Sequence, residues 1–191
     1  AFRRAMEKGI PQSLELEEYP LLVMSLAYLA GSMGLPFVAT KTMLGTGFVR
    51  HYSFLGEKKF KVMESPFDGE KVCLIPGLHH EVGIVQAQRA DEWGNTQAWG
   101  ILGSTKHGIN SCKKIIVCAE EIVPSDTIRK DPNRTIIPGF RVNAVVEEPW
   151  GCYPSYMQGY YDRDFRFFPD YERQTRNVDS FQRYLEKWVY G

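Results

Sequence analysis

This chain of 191 residues has no Gly-x-Ser-x-Gly elbow, no Cys-x-x-Cys pair, no run of more than two basic residues and no net charge. Each absence removes a class of function. Without the elbow or a Cys/His pairing, no serine or cysteine hydrolase is read. The 23 Lys and Arg balance the 23 Asp and Glu, and no basic stripe is present to track a nucleic acid. Cys73, Cys112, Cys118 and Cys152 are widely spread; Cys73 and Cys118 lie in apolar runs, so unpaired thiols of a reducing cytosol are expected, with neither disulfide nor metal. No apolar segment of signal-peptide type follows Ala1-Phe2-Arg3-Arg4. Tyr19 to Thr40 carries no charge, which is about a membrane's length. Pro20, Gly31, Ser32, Gly34 and Pro36 divide that run into a short helix and a short strand of a soluble core, so no membrane span is expected.

What is present reads as one α/β domain over residues 1–191, large enough to bury a core. Phe2 to Lys8 has the character of a helix closed by Gly9. Leu14 and Leu16 alternate with Glu15 and Glu17, the period of a strand over Ser13–Glu17. Pro20 suits a helix start, with Gly31 as its cap. Strands are expected at Leu35–Thr40, Phe60–Glu64, Val72–Ile75, Val82–Gln88, Thr96–Trp99, Lys114–Ala119, Ile136–Ile137 and Val142–Glu147. Gly-rich loop chemistry covers Lys41–Ser53, a short helix Lys106–Ser111, a loop Glu120–Arg134, and one helix Tyr171–Trp188. Strands alternating with crossovers predict an open, largely parallel sheet with helices on both faces and antiparallel strands at one edge.

The most informative stretch is Val82-Gly83-Ile84-Val85-Gln86-Ala87-Gln88-Arg89-Ala90-Asp91-Glu92-Trp93-Gly94-Asn95. An apolar strand ends in a sharp turn, where Gly94-Asn95 suits positive φ and Asp91 can accept from amides two residues on. A buried strand ending in Gln-Arg-Ala-Asp-x-x-Gly-Asn resembles class I CoA-transferases. Trp99-Gly100-Ile101-Leu102-Gly103, the run Ile115 to Val123, and Gly159-Tyr160-Tyr161-Asp162-Arg163-Asp164 resemble the α-subunit branch of glutaconate CoA-transferase. The likeness runs from about Leu14 to Asp164. Subunits of that family open with a strand and a Gly-Gly-Phe-type loop that is not matched, so the chain is expected to lack its N-terminal part.

Glu17 and Glu18 head the candidate residues. A carboxylate at a strand end beside a helix N-terminus is placed for general-base work; the alternative is that both cap the helix and face solvent. The resemblance favours a role, because a glutamate of Leu14-Glu15-Leu16-Glu17-Glu18 is the expected base in related ring-cleaving acyl-CoA hydrolases, with Glu18 preferred as the residue nearer the helix. Lys41 and Gly45-Thr46-Gly47 form a candidate substrate-binding loop whose amides can receive an oxygen atom, against the alternative of a plain surface loop. His79-His80 is rejected as a metal site, since neighbours on a strand point apart. Glu120-Glu121, at a strand's end, divides evenly between capping and catalysis. The aromatic segment from Trp150 to Asp164 suits a cleft wall, an interface or core packing, and has Cys152-Tyr153 where the family segment reads Ala-His.

The resemblance implies the α subunit of a hetero-oligomeric, glutaconate-type enzyme that moves CoA between an acyl-CoA and a carboxylic acid. The nucleophilic glutamate then belongs to a β subunit. No cofactor is needed beyond the coenzyme A moiety of the substrate. The alternatives are a ring-cleaving hydrolase subunit or a non-catalytic structural one.

Overall fold

Pro20 sits immediately before helix α2 (Leu21–Ser32), where its missing N–H costs nothing. The computed structural model describes residues 2–10, 12–49 and 55–191, so the Arg50–Ser53 part of the expected Gly-rich loop lies outside the described residues. The chain forms two compact units, interleaved in sequence: residues 1–85, 101–116 and 140–144, and residues 86–100, 117–139 and 145–191.

In the first unit, α1 (Phe2–Lys8) ends at Gly9, which adopts positive φ. Strands β1 (Phe37–Thr40), β2 (Lys61–Glu64) and β3 (Lys71–Pro76) make a sheet in the order β1-β3-β2, both pairs antiparallel. The core joins Val23 and Ala27 of α2, Cys73 and Ile75 of β3, and Met43 and Phe60 from the loops, with Tyr19, Leu44 and Phe48 packed against it. Short helix α3 (Thr105–Asn110) packs on α2. Gly31 lies inside α2 rather than capping it: a Cβ there would stand 1.8 Å from the Leu78 carbonyl oxygen. Its need for glycine is close approach, which sequence position alone does not separate from a cap.

A five-stranded sheet in the order β7-β5-β4-β6-β8 is built from β4 (His80–Ala90), β5 (Thr96–Gln97), β6 (Cys112–Ile122), β7 (Thr135–Ile137) and β8 (Ala144–Glu147). The pairs β4–β5 and β5–β7 are antiparallel. The α/β class therefore holds with mixed sheets: the Asn143 amide donates to the Ile115 carbonyl and the Glu148 amide to the Ala119 carbonyl, so β8 runs parallel to β6, while the β1-β3-β2 sheet and the β4–β5 and β5–β7 pairs are antiparallel. Connection length sets the two hairpins: β2 returns to β3 through Ser65–Glu70 and β4 to β5 through Asp91–Asn95, too short for a parallel crossover.

Three more sequence expectations are corrected. Ser13–Pro20 has no regular structure; an alternating pattern becomes a strand only where an edge is there to pair with it. Residues 120–134 are not all loop, since β6 continues to Ile122 and α4 (Ser125–Arg129) follows. The tail is two helices, α5 (Phe167–Gln174) and α6 (Val178–Trp188). Asn177 makes a capping box with Ser180 and starts the second afresh. Among the described residues no helix is long and apolar enough to cross a membrane. All four cysteines are free thiols.

Candidate functional site

The adjacent acids face opposite ways. Glu17 turns inward, its side chain 10% exposed, and its Oε1 lies 2.6 Å from Lys59 Nζ, whose side chain is 2% exposed. Leu55 N–H points to Glu17 Oε2 at 3.4 Å, a long contact. The ammonium and Oε1 form a close, buried ion pair. Lys59 Nζ also stands 5.0 Å from the Tyr19 ring. Burial, and then the negative charge of Glu17, raise the Tyr19 phenol above its ordinary value. Glu18 is exposed, two residues before the N-cap Pro20 of α2, and has no hydrogen bond or ion pair among the described residues. The helix N-terminus expected beside it is present; the strand end is not.

Lys41 makes an exposed ion pair with Glu70. In the neighbouring loop, the Thr46 amide and hydroxyl both donate to the Met43 carbonyl, at 3.2 and 2.7 Å. Gly45 takes positive φ in open space, and Gly47 opens a 3-10 turn. Of the expected oxygen-binding amides, that of Thr46 is thus occupied within the loop. Met43, Leu44 and Phe48 pack in the same core as Tyr19 and Phe60, which brings this loop and the Glu17–Tyr19 and Lys59–Phe60 segments together. Sequence reasoning misses Lys59; the available signal is a lysine directly before a core Phe, within reach of an acid on an irregular segment. A separate open groove of about 390 Å³, lined by Tyr28, His80, Ser104 and Cys112 among others, contains none of these residues.

The second unit holds two carboxylates that the sequence leaves undecided. Glu120, nearly buried, accepts from Gln86 Nε2 at 2.9 Å, Tyr161 O–H at 2.6 Å and the Trp150 amide at 2.7 Å. Trp150, at φ 66, stacks on Tyr161 with centroids 4.4 Å apart. Tyr161 in turn accepts from the Cys152 amide. Two of its three donors belong to the 150–161 segment, so Glu120 ties that segment to β6 and, through Gln86, to β4. Burial and the hydrogen bond to Glu120 push the Tyr161 phenol up; burial and a 2.5 Å bond to Glu121 do the same to Tyr160. Burial, with Glu120 nearby, also raises the Cys152 thiol.

The Asp91 turn is a clasp. Its carboxylate, fully buried, accepts from the amides of Trp93 and Asn95, from Asn95 Nδ2 and from Ser125 O–H, all within 3.1 Å. Burial pulls its acidity one way, but these four donors prevail and hold the carboxyl below its ordinary value. Asn95 Oδ1 then accepts from the N–H of Gly139, a close-packed position where a Cβ would stand 2.3 Å from the Trp93 carbonyl oxygen.

Residues 1–148 match the Coenzyme A transferase family. The chain belongs to that family. It is 33% identical, over 99% of its length, to the A subunit of a 3-oxoadipate CoA-transferase from Pseudomonas knackmussii, and spans 64% of that protein. It is similar to the crystal structure of glutaconate coenzyme A-transferase from Acidaminococcus fermentans, with a TM-score of 0.88 at 32% identity, covering 99% of this chain and 62% of that one. A variant of the decarboxylase AibA/AibB matches with a TM-score of 0.74 at 25% identity, covering 97% of this chain and 66% of that one. The chain thus spans less than two thirds of the length of these relatives. In this CoA-transferase-family chain the acids of the family-like runs divide by geometry: Glu17, Asp91 and Glu120 are committed to internal partners, and Glu18 is open.

Proposed function

We propose that this chain is the A-type (α) subunit of a hetero-oligomeric CoA-transferase that moves CoA between an acyl-CoA and a carboxylic acid. The observation that carries the reading is the 0.88 TM-score to glutaconate coenzyme A-transferase over nearly the whole chain, alongside relatives that are the A subunits of 3-oxoadipate and glutaconate CoA-transferases. The chemistry needs a carboxylate that attacks the thioester carbonyl and expels the CoA thiolate, giving an acyl–glutamyl anhydride. The thiolate then attacks the glutamyl carbonyl, releases the donor acid as its carboxylate and leaves a glutamyl-CoA thioester, from which the acceptor acid takes CoA by the same steps in reverse. In this reading the nucleophile is on the B-type (β) partner. Glu17, held by Lys59, is not free to serve as one. This chain supplies a wall of the cleft, Glu18 as its open carboxylate and the Lys41 and Gly45-Thr46-Gly47 loop as substrate contacts, with electrostatics preorganised around the thioester.

A second reading, a CoA-thioester hydrolase subunit, keeps the fold and makes Glu18 the general base on water. It draws support from the exposure of Glu18 and from the likeness to a decarboxylase, whose chemistry is not transfer. Co-expression with a B-type subunit tests both. The expected result is a stable hetero-oligomer by size-exclusion chromatography with light scattering, active with acetyl-CoA and glutaconate or 3-oxoadipate. A monomer fully active without a partner defeats the assignment to a two-subunit enzyme, and thioester loss with no need for an acceptor acid selects the hydrolase.

A further inference from the structure

Two guanidinium groups share one indole in the second unit. Arg134 Cζ lies 4.6 Å and Arg89 Cζ 5.4 Å from the Trp99 ring. Both are held in place through Nε. Arg89 Nε donates to Gln97 Oε1 at 2.8 Å, and the fully buried Gln97 is itself tied to the carbonyls of Ile128 and Asp131. Arg134 Nε lies 2.8 Å from Asp131 Oδ2. The terminal nitrogens of both arginines make no hydrogen bond among the described residues, and neither does the Trp99 indole N–H. Gly159 keeps the space beside that N–H open: a Cβ there would stand 3.6 Å from Nε1.

The cluster therefore presents the terminal donors of two guanidinium groups beside an indole N–H. Of the carboxylates around it, Asp131 pairs with Arg134 and Glu121 accepts from the Tyr160 hydroxyl. Like charges 4.6 and 5.4 Å from one ring repel, and the terminal pair of each guanidinium suits the oxygen spacing of a phosphate or a carboxylate. The Nε anchors make the forks preorganised, which lowers the entropy lost on binding.

We propose that the Arg89–Trp99–Arg134 face binds an oxyanion of the substrate, carried either as a phosphate of coenzyme A or as the non-reacting carboxylate of a dicarboxylic acid. The carrier rests on the CoA-transferase reading; the anion site itself does not. Calorimetric titration of the full chain at low salt with pyrophosphate, CoA and glutarate tests it without turnover. At least one probe should bind at a ratio near one, and Arg134→Gln should weaken it by about tenfold or more, as expected for the loss of a charge-assisted fork. Arg134→Lys and Arg89→Lys, which keep the charge but not the fork, should show smaller losses. Circular dichroism verifies that each variant is folded. Binding of CoA and pyrophosphate but not glutarate assigns the phosphate, and the reverse assigns the carboxylate. Failure of all three probes to bind the wild type, or wild-type affinity in all three variants, overturns the proposal. Anion binding in a chain that supports no CoA transfer with any partner leaves this site standing and removes only the transferase reading.

Discussion

Lys59 Nζ approaches Glu17 Oε1 to 2.6 Å with both side chains at least nine-tenths buried, joining a loop to an irregular segment 42 residues away. A buried pair repays its desolvation poorly, but breaking one strands the other charge. Lys59→Met and Glu17→Gln should each cost about 3–5 kcal/mol, while the double variant should recover most of that loss. Urea unfolding of the three proteins measures this. Additive losses would mean that the two side chains do not act as a pair.

Glu18 faces solvent, so Glu18→Gln should leave stability within about 0.5 kcal/mol of wild type. Activity then separates the two enzyme readings. A transferase should lose about one or two orders of magnitude at most, through positioning and electrostatics. A hydrolase should lose nearer the upper end of the roughly 10²–10⁴-fold worth of a general base. Steady-state kinetics with and without an acceptor acid decide, and undiminished rates in both assays would remove Glu18 from the site.

Tyr161 is neutral and bonded to Glu120 in the fold, with its phenol pushed above its ordinary value by burial and then by that bond. The unfolded chain gives up this proton first, near pH 10. The native state then binds more protons than the unfolded one, so stability is complete below about pH 10 and falls as pH rises beyond it. Tyr161→Phe should flatten that alkaline slope, read from denaturant unfolding at a series of pH values on either side of about 10. An unchanged slope would place the alkaline titration elsewhere.

Gly31→Ala tests the close approach of α2. Alanine normally favours a helix by about 1 kcal/mol over glycine. Here its Cβ would collide with the Leu78 carbonyl, so the sign should invert, with a net loss of about 1–3 kcal/mol typical of overpacking. A rise in melting temperature would show that the backbone yields.

Local chemistry is the legible part of this sequence. The Pro20 helix start, the Ser65–Glu70 hairpin, the β4 strand with its Asp91 turn and the β6 core strand all follow from turn residues and apolar runs. Long-range partners are not legible. The Leu14–Glu17 alternation has the period of a strand, but no strand among the described residues pairs with it; Gly31 resembles a cap because the Leu78 carbonyl is 47 residues away. The same limit hides the Lys59 partner of Glu17 and the three donors that occupy Glu120. In each case the deciding contact is tertiary, and propensity yields to it.

The Asp91 clasp has a further meaning. The turn that makes this chain recognisable spends its carboxylate entirely on its own backbone and on Asn95 and Ser125, keeping nothing for a substrate. It works as a hallmark of scaffold rather than of reaction. Such a turn can stay intact whatever the chemistry beside it, because Asp91 has no acceptor direction left for a substrate.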